Sequence, residues 1–123
     1  MTTADPAAAQ AANLATVRAW IDAYNRQDFD ALAALADADL QVDDPATGTH
    51  LRGWPAFRHT AGQIAERYPD RRITVTDLLA LGQSAVAVQG DWTATVDGET
   101  LHHVEAMVVE LVAGRIARRR IYR

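Results

Sequence analysis

Turn signals divide the second half of the chain into segments of about ten residues, and this spacing constrains the fold more than any other feature. Asp97-Gly98 is a strong signal for a two-residue hairpin, and Gly82-Gln83 and Ala113-Gly114 mark two further turns. Between the turns, residues that favour strands predominate. Strands are predicted at residues 73–81, 85–96, 101–111 and 115–122. Because a tight turn joins each strand to the next, these neighbours are expected to run antiparallel.

The first half of the chain shows helical periodicity instead. Asp5-Pro6 supplies a capping carboxylate and a proline suited to the first helical position, and apolar residues then recur at helical spacing as far as Tyr24. Helices are predicted at residues 6–26, 29–36 and 54–68, with a short strand at 40–43. Helices first and strands last, in a chain of 123 residues, predict a single α+β domain. Three helices are expected to cover one face of a strongly curved, mainly antiparallel sheet.

Composition excludes several kinds of catalysis. The chain has no cysteine and no lysine, since all 12 of its basic residues are arginine. Thiolate nucleophiles, disulfides and Schiff-base chemistry are therefore absent. The one serine, Ser84, does not stand in a nucleophile motif. An enzyme built from this chain would have to work with carboxylates, histidines, tyrosines and arginines.

Charge and motif content limit the partners. A formal net charge of −4 argues against a nucleic-acid partner, and the arginine-rich end at 115–123 is interpreted as a strand with its arginines on the solvated side. No basic leader and no long apolar stretch is visible, so no membrane association and a cytoplasmic location are expected. The four histidines lack metal-ligand spacing and there is no glycine-rich phosphate motif, so neither metal nor cofactor is predicted.

Helices on a curved sheet can enclose a hollow, and two acids are candidates to face it. Asp44 ends the short first strand directly before Pro45, and Glu105 lies among apolar residues in a later strand. Glu105 faces either solvent, paired with an arginine of the last strand, or a buried site, where desolvation would favour its neutral form. The other side chains predicted to line the hollow are Phe57, Ala61, Trp92, Met107 and, at its mouth, His59.

Four motifs resemble the nuclear-transport-factor-2-like superfamily, and within it the ketosteroid-isomerase and SnoaL-like branches. They are the run from Trp20 to Asp30, Val42-Asp43-Asp44-Pro45, Arg52-Gly53, and Gly114-Arg115-Ile116 with Ile121-Tyr122. The resemblance implies a cone-shaped fold and a homodimer formed through the outer face of the sheet, where Val104, Ala106 and Val108 would lie if Glu105 points inward.

The same resemblance implies roles for individual residues. Asp44 matches the aspartate that shuttles a proton between carbons, and Glu105 matches a protonated acid that donates a hydrogen bond to the developing oxyanion. Trp20 stands where ketosteroid isomerases have a tyrosine that donates to the oxyanion, and Tyr24, one turn further, could take over that contact. Ile121 replaces the aspartate expected of a polyketide cyclase.

Three functions are compatible with these residues. The leading hypothesis is an acid–base enzyme acting on a small hydrophobic carbonyl or enol compound, as an isomerase, cyclase or dehydratase, with Asp44 as proton shuttle and Glu105 as oxyanion donor. The second is a non-catalytic binding or dimerisation module, for which a filled interior and an outward Glu105 are expected. The third is activation of water by Asp44 with Glu66, as an epoxide hydrolase requires.

Overall fold

The computed structural model describes residues 5–122, which form three helices and six strands. The elements are α1 (Pro6–Arg26), α2 (Phe29–Leu35), β1 (Ala36–Asp44), β2 (Thr49–Arg52), α3 (Trp54–Arg67), β3 (Arg72–Leu81), β4 (Ala85–Val96), β5 (Glu99–Val112) and β6 (Arg115–Tyr122). Every helix and strand expected from the sequence is present. β2 is additional: it pairs with β1 across the turn at residues 45–48 and was not predicted.

The six strands form one mixed sheet in the order β2-β1-β6-β5-β4-β3. The meander from β3 to β6 is antiparallel, as predicted, whereas β6 lies parallel to β1. The expectation of an antiparallel sheet therefore holds for four pairs and fails for this one. The parallel pair is possible because more than sixty residues separate β1 from β6, enough chain to bring the last strand back beside the first in either direction.

Local sequence signals fix where the helices begin and end. The Asp5 carboxylate accepts a hydrogen bond from the backbone N–H of Ala7 at 3.0 Å, so the predicted cap of α1 is present. The Asp28 carboxylate caps α2 in the same way, by accepting from the N–H of Ala31. Gly53, with φ of 84°, precedes α3 and donates its N–H to the carbonyl of Leu40 at 2.7 Å. That bond ties the start of α3 to β1, the strand that ends in Asp44.

The helices cover one face of the sheet unevenly. α1 packs mainly on β3 and β4, whereas α3 packs on β1 and β2. The fully buried aliphatic side chains between these layers include Val17, Leu32, Leu40, Val86 and Ile116. On this one face, α1 lies over the β3–β4 end of the sheet and α3 lies over the β1–β2 end. The inner faces of the strands between them are therefore left partly uncovered. The opposite face of the sheet exposes apolar side chains, Leu79 and Val104 among them, at the place where the resemblance puts the homodimer contact.

Gly90 allows strand β3 to approach closely beside Glu105. In register, Gly90 of β4 lies between Val75 of β3 and Glu105 of β5. A Cβ at Gly90 would stand 2.9 Å from the carbonyl oxygen of Thr74, which is closer than van der Waals contact allows. The β3–β4 register shifts directly after Val75, so a bulge accompanies this close approach. The β4 residue directly opposite Glu105 therefore carries no side chain.

None of the helices within residues 5–122 combines the length and the hydropathy needed to cross a bilayer.

Candidate active site

A cavity of about 490 Å³ lies between the helices and the inner face of the sheet. Its wall is mostly apolar and includes Val42, Leu51, Phe57, Ala61, Ile73, Trp92 and Ile121. Polar side chains also reach it from every layer, among them Tyr24, Asp44, Thr47, Thr49, Thr60, Tyr68, His103, Glu105 and Arg119. A largely apolar wall with a few convergent polar groups is typical of a small-molecule site.

Asp44 and Glu105 face this cavity together. Each residue is only 5% exposed, although 61 positions separate them in the sequence. Asp44 reaches the cavity because it is the last residue of β1, directly before the exposed turn at residues 45–48. Alternation along β5 turns Glu105 inward with Met107, while Val104 on the opposite face is 51% exposed. Of the two orientations considered for Glu105, the structure therefore has the inward one.

Arg119 adds a buried cation that the sequence analysis placed on the solvated side of the last strand. The residue is 6% exposed and lines the cavity. Burial lowers the pKa of its guanidinium, and the charges of Glu105, Tyr24 and Asp44 act in the opposite direction. An arginine nevertheless stays protonated across the physiological range. Its Nη2 atom donates to the Met107 sulfur at 3.2 Å, which holds the side chain against the sheet.

The neighbouring arginines explain why Arg119 is different. Arg118 lies on the outer side, where its Nε atom donates to Asp43 at 2.9 Å. Arg120 likewise donates to Glu110 at 2.9 Å. The prediction that the arginines of the last strand lie on its solvated side therefore holds for Arg118 and Arg120 and is wrong for Arg119. Its position two residues before Ile121, an apolar residue of the same strand, was the available signal.

A chain of contacts connects Glu105 to Tyr24 across the cavity wall. The Nε2 atom of His103 is 2.8 Å from Glu105 Oε1. The His103 ring stacks on Trp92, with centroids 4.8 Å apart and planes inclined by 17°. The Trp92 indole N–H in turn donates to the Tyr24 hydroxyl at 3.3 Å, and the Arg71 guanidinium lies over the Tyr24 ring at 4.2 Å. These contacts immobilise one wall of the cavity.

Some of the predicted pocket residues line the cavity, others are buried beside it, and His59 lies outside it. Tyr24, Phe57, Ala61 and Trp92 line the cavity. Trp20 and Met107 are buried beside it without lining it: Trp20 packs on Phe57 at 5.3 Å, and its indole N–H has no hydrogen-bond partner within residues 5–122. Tyr24 is thus better placed than Trp20 to reach a bound molecule.

His59 lies outside the cavity, contrary to the prediction that it flanks the mouth. It is exposed and borders a shallow groove on the outer side of α3, together with Glu66. His59 follows Phe57 by two residues, or about 200° around the helix axis, so the two side chains point in nearly opposite directions. Glu66 is exposed in the same groove, so Asp44 has no second carboxylate from α3 in the cavity. The pairing expected of the epoxide-hydrolase hypothesis is therefore not formed.

Besides Arg119, the sequence analysis missed His102, His103 and Tyr68, which also line the cavity. His102 contacts Asp91, and His103 contacts Glu105. The signal for His103 was its place two residues before Glu105, which puts both side chains on one face. Within residues 5–122, no three or more His, Asp and Glu side chains are arranged to hold a metal ion.

Comparison with solved structures places the chain among several similar folds. A protein from Kribbella flavida, provisionally named a ketosteroid isomerase, superposes with a TM-score of 0.75 at 27% identity, over 91% of this chain and 77% of that one. A Catenulispora acidiphila protein with a ketosteroid isomerase-like fold, solved in complex with trimethylamine, superposes with a TM-score of 0.79 at 19% identity, over 88% of this chain and 84% of that one. An LEH-like epoxide hydrolase from M. tuberculosis superposes with a TM-score of 0.81 at 18% identity, over 92% of this chain and 83% of that one. Comparison with curated protein sequences finds no significant match.

These three structures share one fold and carry different names, so fold alone does not select a reaction. The sequence itself gives a more specific assignment. The model of the SnoaL-like domain matches residues 17–119, which include both buried acids with their strands β1 and β5, and Arg119. The chain belongs to the SnoaL-like domain family.

Proposed function

We propose that the protein is an acid–base enzyme that moves a proton on a small, mostly apolar carbonyl or enol compound. The observation that carries the proposal is the burial of Asp44, Glu105 and Arg119 in one largely apolar cavity of about 490 Å³. Buried ionisable groups that converge in a cavity are typical of catalytic sites, since burial alone would be unfavourable for the fold.

Asp44 is the group that accepts and returns the proton. Its carboxylate ends a strand at the cavity edge, where a substrate carbon can approach it. A proton removed from the carbon next to a carbonyl leaves negative charge on the carbonyl oxygen, so a donor must face that oxygen.

Arg119 is the donor best suited to that oxygen. The sequence hypothesis gave this role to a neutral Glu105. Glu105, however, contacts the His103 imidazole, and its negative charge favours the charged guanidinium of Arg119. Both interactions are strongest when Glu105 is ionised. A guanidinium needs no such adjustment, because it is charged throughout the physiological range and has five donor hydrogens.

The charges in the cavity also indicate the substrate class. Two carboxylates and one guanidinium leave little excess charge inside, so a strongly charged ligand would lose its hydration without a full counter-charge. A neutral molecule with an apolar body and one carbonyl oxygen matches both the wall and the polar residues. The alternative of a non-catalytic module predicted a filled interior and an outward Glu105, and the open cavity and buried Glu105 count against it.

The test follows exchange of carbon-bound protons. The protein is incubated in D₂O with neutral ketones that have acidic protons next to the carbonyl, such as benzoylacetone, and loss of the proton signal is followed by NMR. Wild type should accelerate exchange, and Asp44→Asn should reduce the rate by about 100-fold or more. Asp39→Asn, an exposed aspartate on the same strand, is the matched control and should behave as wild type. Equal rates for Asp44→Asn and wild type would remove Asp44 from the mechanism.

A further inference from the structure

His103 is held in a specific orientation at the edge of the cavity. Its side chain is 35% exposed, whereas the Glu105 side chain to which it is bonded is 6% exposed. The imidazole thus lies between the buried acid and the solvent. Stacking on Trp92 fixes the plane of the ring, and the Tyr68 ring packs edge-on against Trp92 at 5.3 Å.

The contact with Glu105 selects one tautomer of the imidazole. An ionised carboxylate accepts hydrogen bonds and donates none, so the His103 Nε2 atom must carry the proton. In the neutral ring the Nδ1 atom then has a lone pair, and no hydrogen bond to Nδ1 occurs within residues 5–122. A base oriented by a buried carboxylate, with its second nitrogen available, is the arrangement used for general-base catalysis.

We propose that His103 is a second proton-transfer residue, which serves the oxygen of an enolisable substrate while Asp44 serves the carbon, and that Glu105 is its positioning residue. This deepens the proposed function and rests on it. In the direction from enol to ketone, the Nδ1 lone pair takes the hydroxyl proton, the O–H bond breaks, and its electron pair stays on oxygen facing Arg119. The enolate carbon then forms a bond to the proton of the neutral Asp44 carboxyl, whose O–H electron pair stays on the carboxylate; water afterwards takes the proton from His103 and supplies one to Asp44. The imidazolium faces the Glu105 carboxylate.

The separate roles of Asp44 and His103 indicate a narrower substrate class than carbonyl compounds in general. Exchange of a carbon-bound proton needs only Asp44 and a donor to the enolate oxygen. Conversion of a stable enol to its ketone also needs a group that removes the hydroxyl proton. The cavity is therefore suited to compounds whose enol persists in water, such as 1,3-dicarbonyl compounds, and His103 is the group that distinguishes the two reactions.

The two reactions can be measured on the same compound. Ketonisation of the benzoylacetone enol is followed by its ultraviolet absorbance, and carbon-proton exchange is followed by NMR in D₂O. His103→Gln should slow ketonisation by about 100-fold while exchange stays within about threefold of wild type. His59→Gln is the control, since His59 is exposed on the outer side of α3 and does not line the cavity. Equal effects of His103→Gln on both reactions, or on neither, would overturn the proposal.

The pH dependence tests the positioning role of Glu105. The titratable and charged groups that share the cavity with His103 are Glu105, Asp44, Arg119, Tyr24, Tyr68 and His102. Wild-type ketonisation should depend on pH, because the step needs a neutral imidazole at His103 together with a protonated Asp44. Glu105→Gln should change that pH profile, because a neutral amide no longer stabilises the imidazolium. An unmoved profile would assign Glu105 a structural role only.

A spectroscopic measurement keeps the proposal testable if a variant fails to fold. Long-range ¹H–¹⁵N spectra of the wild-type imidazoles report which nitrogen carries the proton, and the four histidines are assigned by substitution. His103 should show the Nε2–H tautomer. An Nδ1–H tautomer would mean that Glu105 is protonated and donates to the ring, which overturns the proposal. If wild type accelerates neither reaction, both the proposed function and this role for His103 fail, whereas loss of ketonisation alone bears only on His103.

Discussion

Replacing Arg119 with methionine is expected to destabilise the fold, because it removes a cation that balances Glu105 and Asp44 in the cavity. Arg119 is 6% exposed; burial lowers the pKa of its guanidinium, and the charges of the two acids act in the opposite direction. The two acids are each 5% exposed and stay buried in the variant. Methionine has a similar length but supplies them with no counter-charge.

The size of the effect follows from similar buried charges. Removal of one partner from a group of buried charges typically destabilises a protein by about 3–5 kcal/mol, because the remaining charges lose their compensation. With a urea dependence of about 2 kcal/mol per M, even the smallest loss in that range lowers the denaturation midpoint by about 1.5 M. The assay is urea denaturation at pH 7, followed by tryptophan fluorescence, which Trp20, Trp54 and Trp92 provide.

The control is Arg118→Met, which removes an outer arginine paired with Asp43 whose side chain is 40% exposed. Pairs of this kind contribute less than about 1 kcal/mol, so the midpoint should change little. An unfolding free energy of Arg119→Met equal to or above that of wild type would refute the reasoning, since the cost of burying the guanidinium would then exceed its attraction to the two acids. Proton exchange catalysed by Arg119→Met should fall with loss of the oxyanion donor, whatever its stability.

Two further predictions concern the residues around the cavity. Burial of Asp43 raises its pKa, but hydrogen bonds from His50 and Arg118 outweigh this and leave the pKa below its ordinary value. The stability that Asp43 contributes is therefore present above about pH 4 and is lost as pH falls through its folded-state pKa. Urea midpoints measured from about pH 2 to 7 should accordingly fall less steeply at low pH for Asp43→Asn than for wild type. Gly90→Ala should lower the unfolding free energy by about 1–3 kcal/mol in the same assay, because its Cβ would approach the Thr74 carbonyl oxygen to 2.9 Å; an unchanged midpoint would show that β3 can move away.

The fold was predictable because its signals are local. Helical spacing and caps locate α1, α2 and α3 to within a residue or two at each end, and turn dipeptides locate β3 to β6. β2 was missed because Thr49–Arg52 is only four residues long, too few for alternation to stand out. The parallel pairing of β1 with β6 depends on chain direction over a long separation, which no local pattern encodes.

The site was predictable only in part, because its geometry depends on irregularities in the sheet. Asp44 was identified because it stands directly before a proline at the end of a strand, and Glu105 because it lies among apolar residues within a strand. Arg119 was missed because Ile116 and Arg119 both face inward although they lie three positions apart, which breaks strict alternation. The β1–β6 and β5–β6 registers both shift near this point. A bulge of that kind reverses the side on which a residue lies, and sequence alone does not reveal it.

The placement of Asp44 at the end of a strand has an evolutionary consequence. The acid belongs to β1, which pairs with β2 and β6, whereas the adjoining turn at residues 45–48 is exposed and, through Thr47, forms part of the cavity rim. Mutations in that turn can reshape the entrance while leaving the hydrogen-bonded framework behind it intact. Selection can thus alter which molecules are admitted without having to rebuild the proton-transfer machinery.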